Sequence, residues 1–153
     1  KAVAKADLNA AVIKGNQGEI TVLAGGQAEM SGVEAIGEYS DIETTALSLA
    51  QQHDTVVVVS GAEDIVTAGE DIHRIERGHA LMGQVVGTGC MLSSTLGVFC
   101  GVERDYLEAS IAAATAYGIA GEKASHEAER PASYKIALQD NISTLSDKDL
   151  KNL

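Results

Sequence analysis

The run Thr55-Val56-Val57-Val58-Val59-Ser60 constrains the fold more than any other stretch. Successive side chains of a β-strand point to opposite faces, so four consecutive valines place apolar groups on both. Such a strand must be covered on each side, which is the situation of a parallel sheet held between helices. An α/β architecture is therefore expected.

The flanking segments fit that expectation. Lys1 to Ala6 reads as the tail of a helix and Ala10-Ala11-Val12-Ile13-Lys14 as a short buried strand. Asn16 followed by Glu19 and the apolar run Ile20-Thr21-Val22-Leu23-Ala24 has the spacing of a helix start, in which side chains cap free backbone N–H groups. The same amide and carboxylate, at the end of a strand, also stand where α/β proteins hold ligands and hydrated Mg²⁺. Gly25 to Tyr39 is rich in Gly and Ala, weakly patterned, and reads as a loop or a mobile excursion after the first helix. Ser40-Asp41-Ile42-Glu43 opens a helix to about Gln52. After the valine strand, Gly61 to Asp64 is a turn; Ile65 to Ala68 and Asp71 to Glu76 form a hairpin, and Arg77-Gly78-His79 turns again. The sheet should thus switch from parallel to antiparallel just before residue 80, and a loop that follows would lie at the carboxyl edge of the strands.

That loop is Gly87-Thr88-Gly89-Cys90. Two glycines let backbone approach a ligand closely, and a helix opening near Cys90 would aim unpaired N–H groups at a phosphate. Alternatively the glycines merely make a tight connection. Cys90 to about Cys100 is apolar all round and is expected to be a buried helix ended by Gly101. Asp105-Tyr106-Leu107-Glu108 then starts a long Ala-rich helix reaching about Arg130, with Gly118 and Gly121 allowing close packing and Pro131 as its stop. Ser133 to Leu145 forms the next helix, with Tyr134, Ile136, Ala137, Leu138, Ile142 and Leu145 apolar, before a polar tail from Ser146.

Composition narrows the function. The 153 residues, 45% hydrophobic, suit a single domain (1–153) with a real core. Twenty-two acidic residues against 11 basic ones give a charge of -11, which argues against nucleic acid and anionic membranes as partners, although a local loop can still hold phosphate. Aromatics at 3% provide no base-stacking platform. Two cysteines make no metal cluster, no run is long enough to span a bilayer, and a reducing cytoplasm fits best. A start at Lys1-Ala2-Val3 without Met, soon entering an apolar run, reads as part of a longer chain. Cys100 is expected in the core, and His53, His73, His79 and His126, which lack ligand spacing, on the surface or in turns. Glu63 and Asp64 are read first as turn formers and otherwise as neighbours of Mg²⁺.

Taken in order, Val12-Ile13-Lys14-Gly15-Asn16-x-x-Glu19-Ile20, Val59-Ser60-Gly61-Ala62-Glu63-Asp64, Gly78-His79-x-Leu81-Met82-x-x-Val85-x-Gly87-Thr88-Gly89-Cys90-Met91-Leu92 and Ala116-Tyr117-Gly118-Ile119-Ala120 resemble the hydroxyethylthiazole kinases of thiamine salvage. The resemblance runs along nearly the whole chain and covers the later part of the family's longer one. It implies a ribokinase-like three-layer α/β sandwich, with a mostly parallel sheet and an antiparallel hairpin, incomplete at the N-terminus. It further implies homotrimeric assembly and transfer of the ATP γ-phosphoryl group to the hydroxyl of 4-methyl-5-(2-hydroxyethyl)thiazole with Mg²⁺. By the same resemblance, Gly87, Thr88 and Gly89 form the catalytic loop and Gly87 also meets the thiazole. Lys14, Ser60 and Asn16 belong to the nucleotide, and Glu19 orients Mg²⁺ through water. Cys90 stands where sugar kinases of the superfamily carry an Asp base; it either takes the hydroxyl proton or shapes the acceptor pocket. The alternatives are a related kinase for a pyrimidine or pyridoxal-type alcohol and a nucleotide-binding module without turnover.

Overall fold

The valine run forms β4, Val56–Ser60, which lies between β1, Val12–Asn16, and β5, Asp64–Thr67, in the computed structural model, which describes residues 10–25, 29–31, 34–36 and 41–150. With β6, His73–Ile75, they make a four-stranded sheet of order β1-β4-β5-β6. β1 and β4 are parallel, whereas β4-β5 and β5-β6 are antiparallel. The sheet is therefore mixed, because the strands of the expected hairpin enter two of this sheet's three pairings.

The alternation of β4 organises the layers. Val57 and Val59 pack with Ile13, Ile20, Ala46, Leu49 and Ala50, so one face is covered by α1, Gln17–Leu23, and α2, Ile42–His53. Val56 and Val58 pack into the cluster of Leu92, Leu96, Ala113, Tyr117, Tyr134 and Leu138. These come from α3, Thr88–Val102, α4, Tyr106–Glu127, and α5, Pro131–Thr144. All four valines are buried. Removing each such side chain from water contributes about 1.5–3 kcal/mol in upper-bound bookkeeping.

Small residues set how closely α4 approaches its neighbours. A Cβ added at Gly121 would lie 2.6 Å from Met82 Sδ, and one at Gly118 would collide with Arg77. Tyr134 Oη uses the same closeness to donate to Gly121 O at 2.8 Å.

Several local expectations change. Within Gly25 to Tyr39 the structure places β2, Glu29–Ser31, antiparallel to β3, Glu34–Ile36, in place of a loop. The cap of α2 is Asp41, not Ser40: its Oδ1 accepts from Glu43 N at 3.2 Å and its Oδ2 from Thr44 Oγ1 at 2.8 Å. Asp105 caps α4 through Leu107 N and Glu108 N, but Glu103 Oε1, not Glu108, takes the Asp105 N–H. Pro131 opens α5 instead of stopping α4, as befits a residue without an N–H at the first helical position. A 3₁₀ turn, Ala80–Gln84, fills the stretch before the glycine loop, and a short helix α6, Asp147–Leu150, occupies the expected polar tail. Ile136 is exposed, Cys100 is only half-buried, and α3 runs one residue past Gly101. The helix tail expected at Lys1 to Ala6 lies outside the described residues.

Candidate active site

The carboxyl ends of β1 and β4 coincide, because the parallel register sets Gly15 opposite Val59 and Asn16 opposite Ser60. Ser60 Oγ reaches Gly15 O at 3.4 Å. Immediately beyond β1, Asn16 caps α1: its Oδ1 accepts from Glu19 N at 2.9 Å, while Glu19 Oε2 accepts from Asn16 N at 2.8 Å. This reciprocal box occupies one Glu19 oxygen and leaves Oε1 outside it, so capping and a role toward a hydrated ion are compatible.

The glycine loop comes to the same edge. Gly87 is the N-cap of α3 with φ of +100°, in the left-handed region that favours glycine, and no side chain caps the helix. Its first intrahelical bond runs from Met91 N to Gly87 O at 2.9 Å, so the N–H groups of Thr88, Gly89 and Cys90 precede the helical ladder. The loop's carbonyls are held from two sides. Lys14 Nζ donates to Gly89 O at 3.1 Å across 75 residues of sequence, and Tyr117 Oη donates to Thr88 O at 2.8 Å. Thr88 Oγ1 in turn lies 3.1 Å from Met82 O and 3.2 Å from Val85 O, linking the loop to the 3₁₀ turn.

Charge follows geometry. Burial raises the Asp64 carboxyl, and the Gly61 N–H at 3.0 Å together with the Lys14 ammonium partly offsets it. Asp64 thus acts as a turn former through Gly61. Burial also drives the Tyr117 phenol far up, with Tyr134 and Asp64 adding to the effect, so Tyr117 is protonated and donating at neutral pH. The helix N–H groups ahead of the ladder, the positive end of the α3 dipole and the Lys14 charge all favour negative charge at this edge, although the protein as a whole is acidic.

The structure thus gathers Lys14, Asn16, Glu19 and Ser60 at one sheet edge and brings Gly87 to Cys90 to it through Lys14. Cys90 is exposed in the first turn of α3. Among the described residues no group of three His, Cys, Asp or Glu could hold a metal ion. Sequence reasoning did not single out Tyr117 as a functional residue, although a long side chain with a polar tip inside the Ala-rich run 112–120 was the available signal.

A profile of the hydroxyethylthiazole kinase family matches residues 3–148. The chain belongs to the hydroxyethylthiazole kinase family. It is 51% identical over 143 residues to the hydroxyethylthiazole kinase of Natronomonas pharaonis, covering 91% of this chain and 51% of that protein. With the namesake from Methanocella arvoryzae it shares 45% over 139 residues, covering 91% and 52%. A solved hydroxyethylthiazole kinase structure from Pyrococcus horikoshii OT3 superposes with a TM-score of 0.77 at 33% identity, covering 93% of this chain and 52% of that one. The fold is therefore the ribokinase-like α/β one that the family resemblance implies. The chain spans about half the length of the curated relatives it matches. Among the described residues no helix is long and apolar enough to cross a membrane.

Proposed function

We propose that the protein containing this chain is an ATP-dependent kinase that phosphorylates the hydroxyl of 4-methyl-5-(2-hydroxyethyl)thiazole, and that residues 1–153 form one domain of it. The observation that carries the reading is the uncapped Gly87-Thr88-Gly89-Cys90 turn, tied to Lys14 at the carboxyl edge of the sheet in a member of this family. Transfer of a γ-phosphoryl group depends on positioning and charge stabilisation, and a glycine-lined helix N-terminus supplies donors where charge develops on the equatorial oxygens. In this reading the bond to the γ-phosphorus forms from the acceptor oxygen as the bond to the β-phosphate oxygen breaks and ADP leaves. Lys14 and Ser60 lie with the nucleotide, Gly87 with the thiazole, and Cys90 with the acceptor hydroxyl.

Mg²⁺ fits the residues present only as a hydrated ion. Mg²⁺ keeps several waters and needs one or two carboxylates plus substrate phosphates, and Glu19, exposed with Oε1 outside its capping bond, meets that requirement through water, with Asn16 holding it in place. The ion's chemistry there is neutralisation of phosphate oxygens. The same reading includes homotrimeric assembly in the cytoplasm, for which sedimentation of the purified protein at three times the protomer mass is the check.

The deciding experiment incubates the protein in its natural full length with ATP, Mg²⁺ and the thiazole alcohol. The phosphate ester and ADP are expected in equal amounts; a folded protein that yields neither overturns the proposal.

A further inference from the structure

Two consecutive peptide units of the catalytic turn are clamped from opposite elements. A peptide group is planar with its C=O and N–H antiparallel, so fixing the carbonyl of one residue fixes the direction of the next residue's N–H. Tyr117 Oη on α4 holds Thr88 O at 2.8 Å, and the N–H that this bond orients is that of Gly89. Lys14 Nζ on β1 holds Gly89 O at 3.1 Å and thereby orients the N–H of Cys90. Gly89, the second residue of α3, carries no side chain of its own to help hold that first turn. Tyr117 is well placed to impose one. It is 3% exposed, packed in the core beneath the sheet, and its ring cannot swing away without disturbing that core. Its hydroxyl stays protonated throughout the working range because burial disfavours the phenolate.

We propose that Tyr117 is a positioning residue for phosphoryl transfer: its hydroxyl, through Thr88 O, aims the Gly89 N–H at the anion that the turn receives. The proposal rests on the kinase reading for its catalytic consequence. Its geometric core, that the Tyr117 hydroxyl sets the Gly89 amide, stands apart from turnover.

The test compares the natural full-length protein with its Tyr117→Phe variant, which keeps the ring and removes only the hydroxyl. The variant's kcat should fall about five- to tenfold, the effect of one neutral hydrogen bond, with KM for the thiazole alcohol within about twofold and Tm lowered by no more than a few degrees. Amide NMR supplies the second arm. The Gly89 N–H resonance should move in the variant without ligand, and inorganic phosphate should then perturb it with about fivefold weaker affinity than in the parent. An unmoved Gly89 amide, or a kcat within twofold of the parent, overturns the proposal, as does a loss of rate that merely follows the unfolded fraction. If the parent protein makes no ester, the kinase reading falls instead, and the amide and phosphate measurements decide the positioning role by themselves.

Discussion

β4 and α3 are both apolar in sequence, yet they are held by different forces. Each β4 valine is buried, because the strand has a neighbour on either edge and a helix layer on either face. Along α3 only Leu92 and Leu96 are buried, while Val98 is 68% and Val102 82% exposed. A shallow apolar cleft of about 580 Å³, lined by Met91, Val98, Phe99, Ile142 and Leu145 among others, runs along that open side. What fixes α3 at its N-terminal end is the set of hydrogen bonds from Lys14, Tyr117 and Thr88, in addition to the stripe packed on α4. Apolar burial thus builds the platform, and polar bonds aim the turn that stands on it.

The comparison is broken most decisively at Val58, which has no exposure. Val58→Asp would place a carboxylate in the cluster formed with Val66, Tyr117 and Leu138. An unpaired charge there has neither solvent nor partner, so a loss above about 4 kcal/mol is expected, enough to unfold a domain of this size. Circular dichroism and urea denaturation check it; a variant that keeps its parent's midpoint would show that the sheet is not sandwiched on this face.

How much of this was legible follows the same division. Period and propensity are local, so the valine run, the Asn16 and Asp105 caps and the hairpin at 64–75 could be read from the chain. The cap of α2 missed by one residue because Ser40 and Asp41 both have capping side chains and only the backbone decides between them. Burial of α3 was not legible, since a helix that is apolar all round states only that it can be covered, and coverage depends on neighbours far along the chain. The Gly87 turn could be located from two glycines, whereas its clamps could not. Lys14 lies 75 residues from Gly89 and Tyr117 lies 29 from Thr88, and no local pattern encodes such pairings.

The turn itself offers a sharper test with a smaller effect on stability. Gly87 sits at φ of +100°, and a Cβ there would meet nothing within 4 Å, so Gly87→Ala introduces backbone strain without a clash. The expected loss is about 1–3 kcal/mol, and relaxation of the strain would re-aim the amides that follow. A drop in kcat of about tenfold or more should therefore accompany a modest fall in the denaturation midpoint. Full activity with lowered stability would mean that the turn is only a connector, the plainer of the two readings its sequence permits.

The smallest effect is expected on the open side of α3. Val98→Ser removes an apolar side chain that is already largely in water, so the transfer term that makes core valines costly is mostly absent. Serine and valine also differ little in helix propensity. Urea denaturation of the 153-residue chain should therefore show a change within about 0.5 kcal/mol. A loss above about 1.5 kcal/mol would instead place Val98 in an environment like that of β4, and the contrast between a platform made by burial and a turn aimed by hydrogen bonds would no longer hold along the length of this helix.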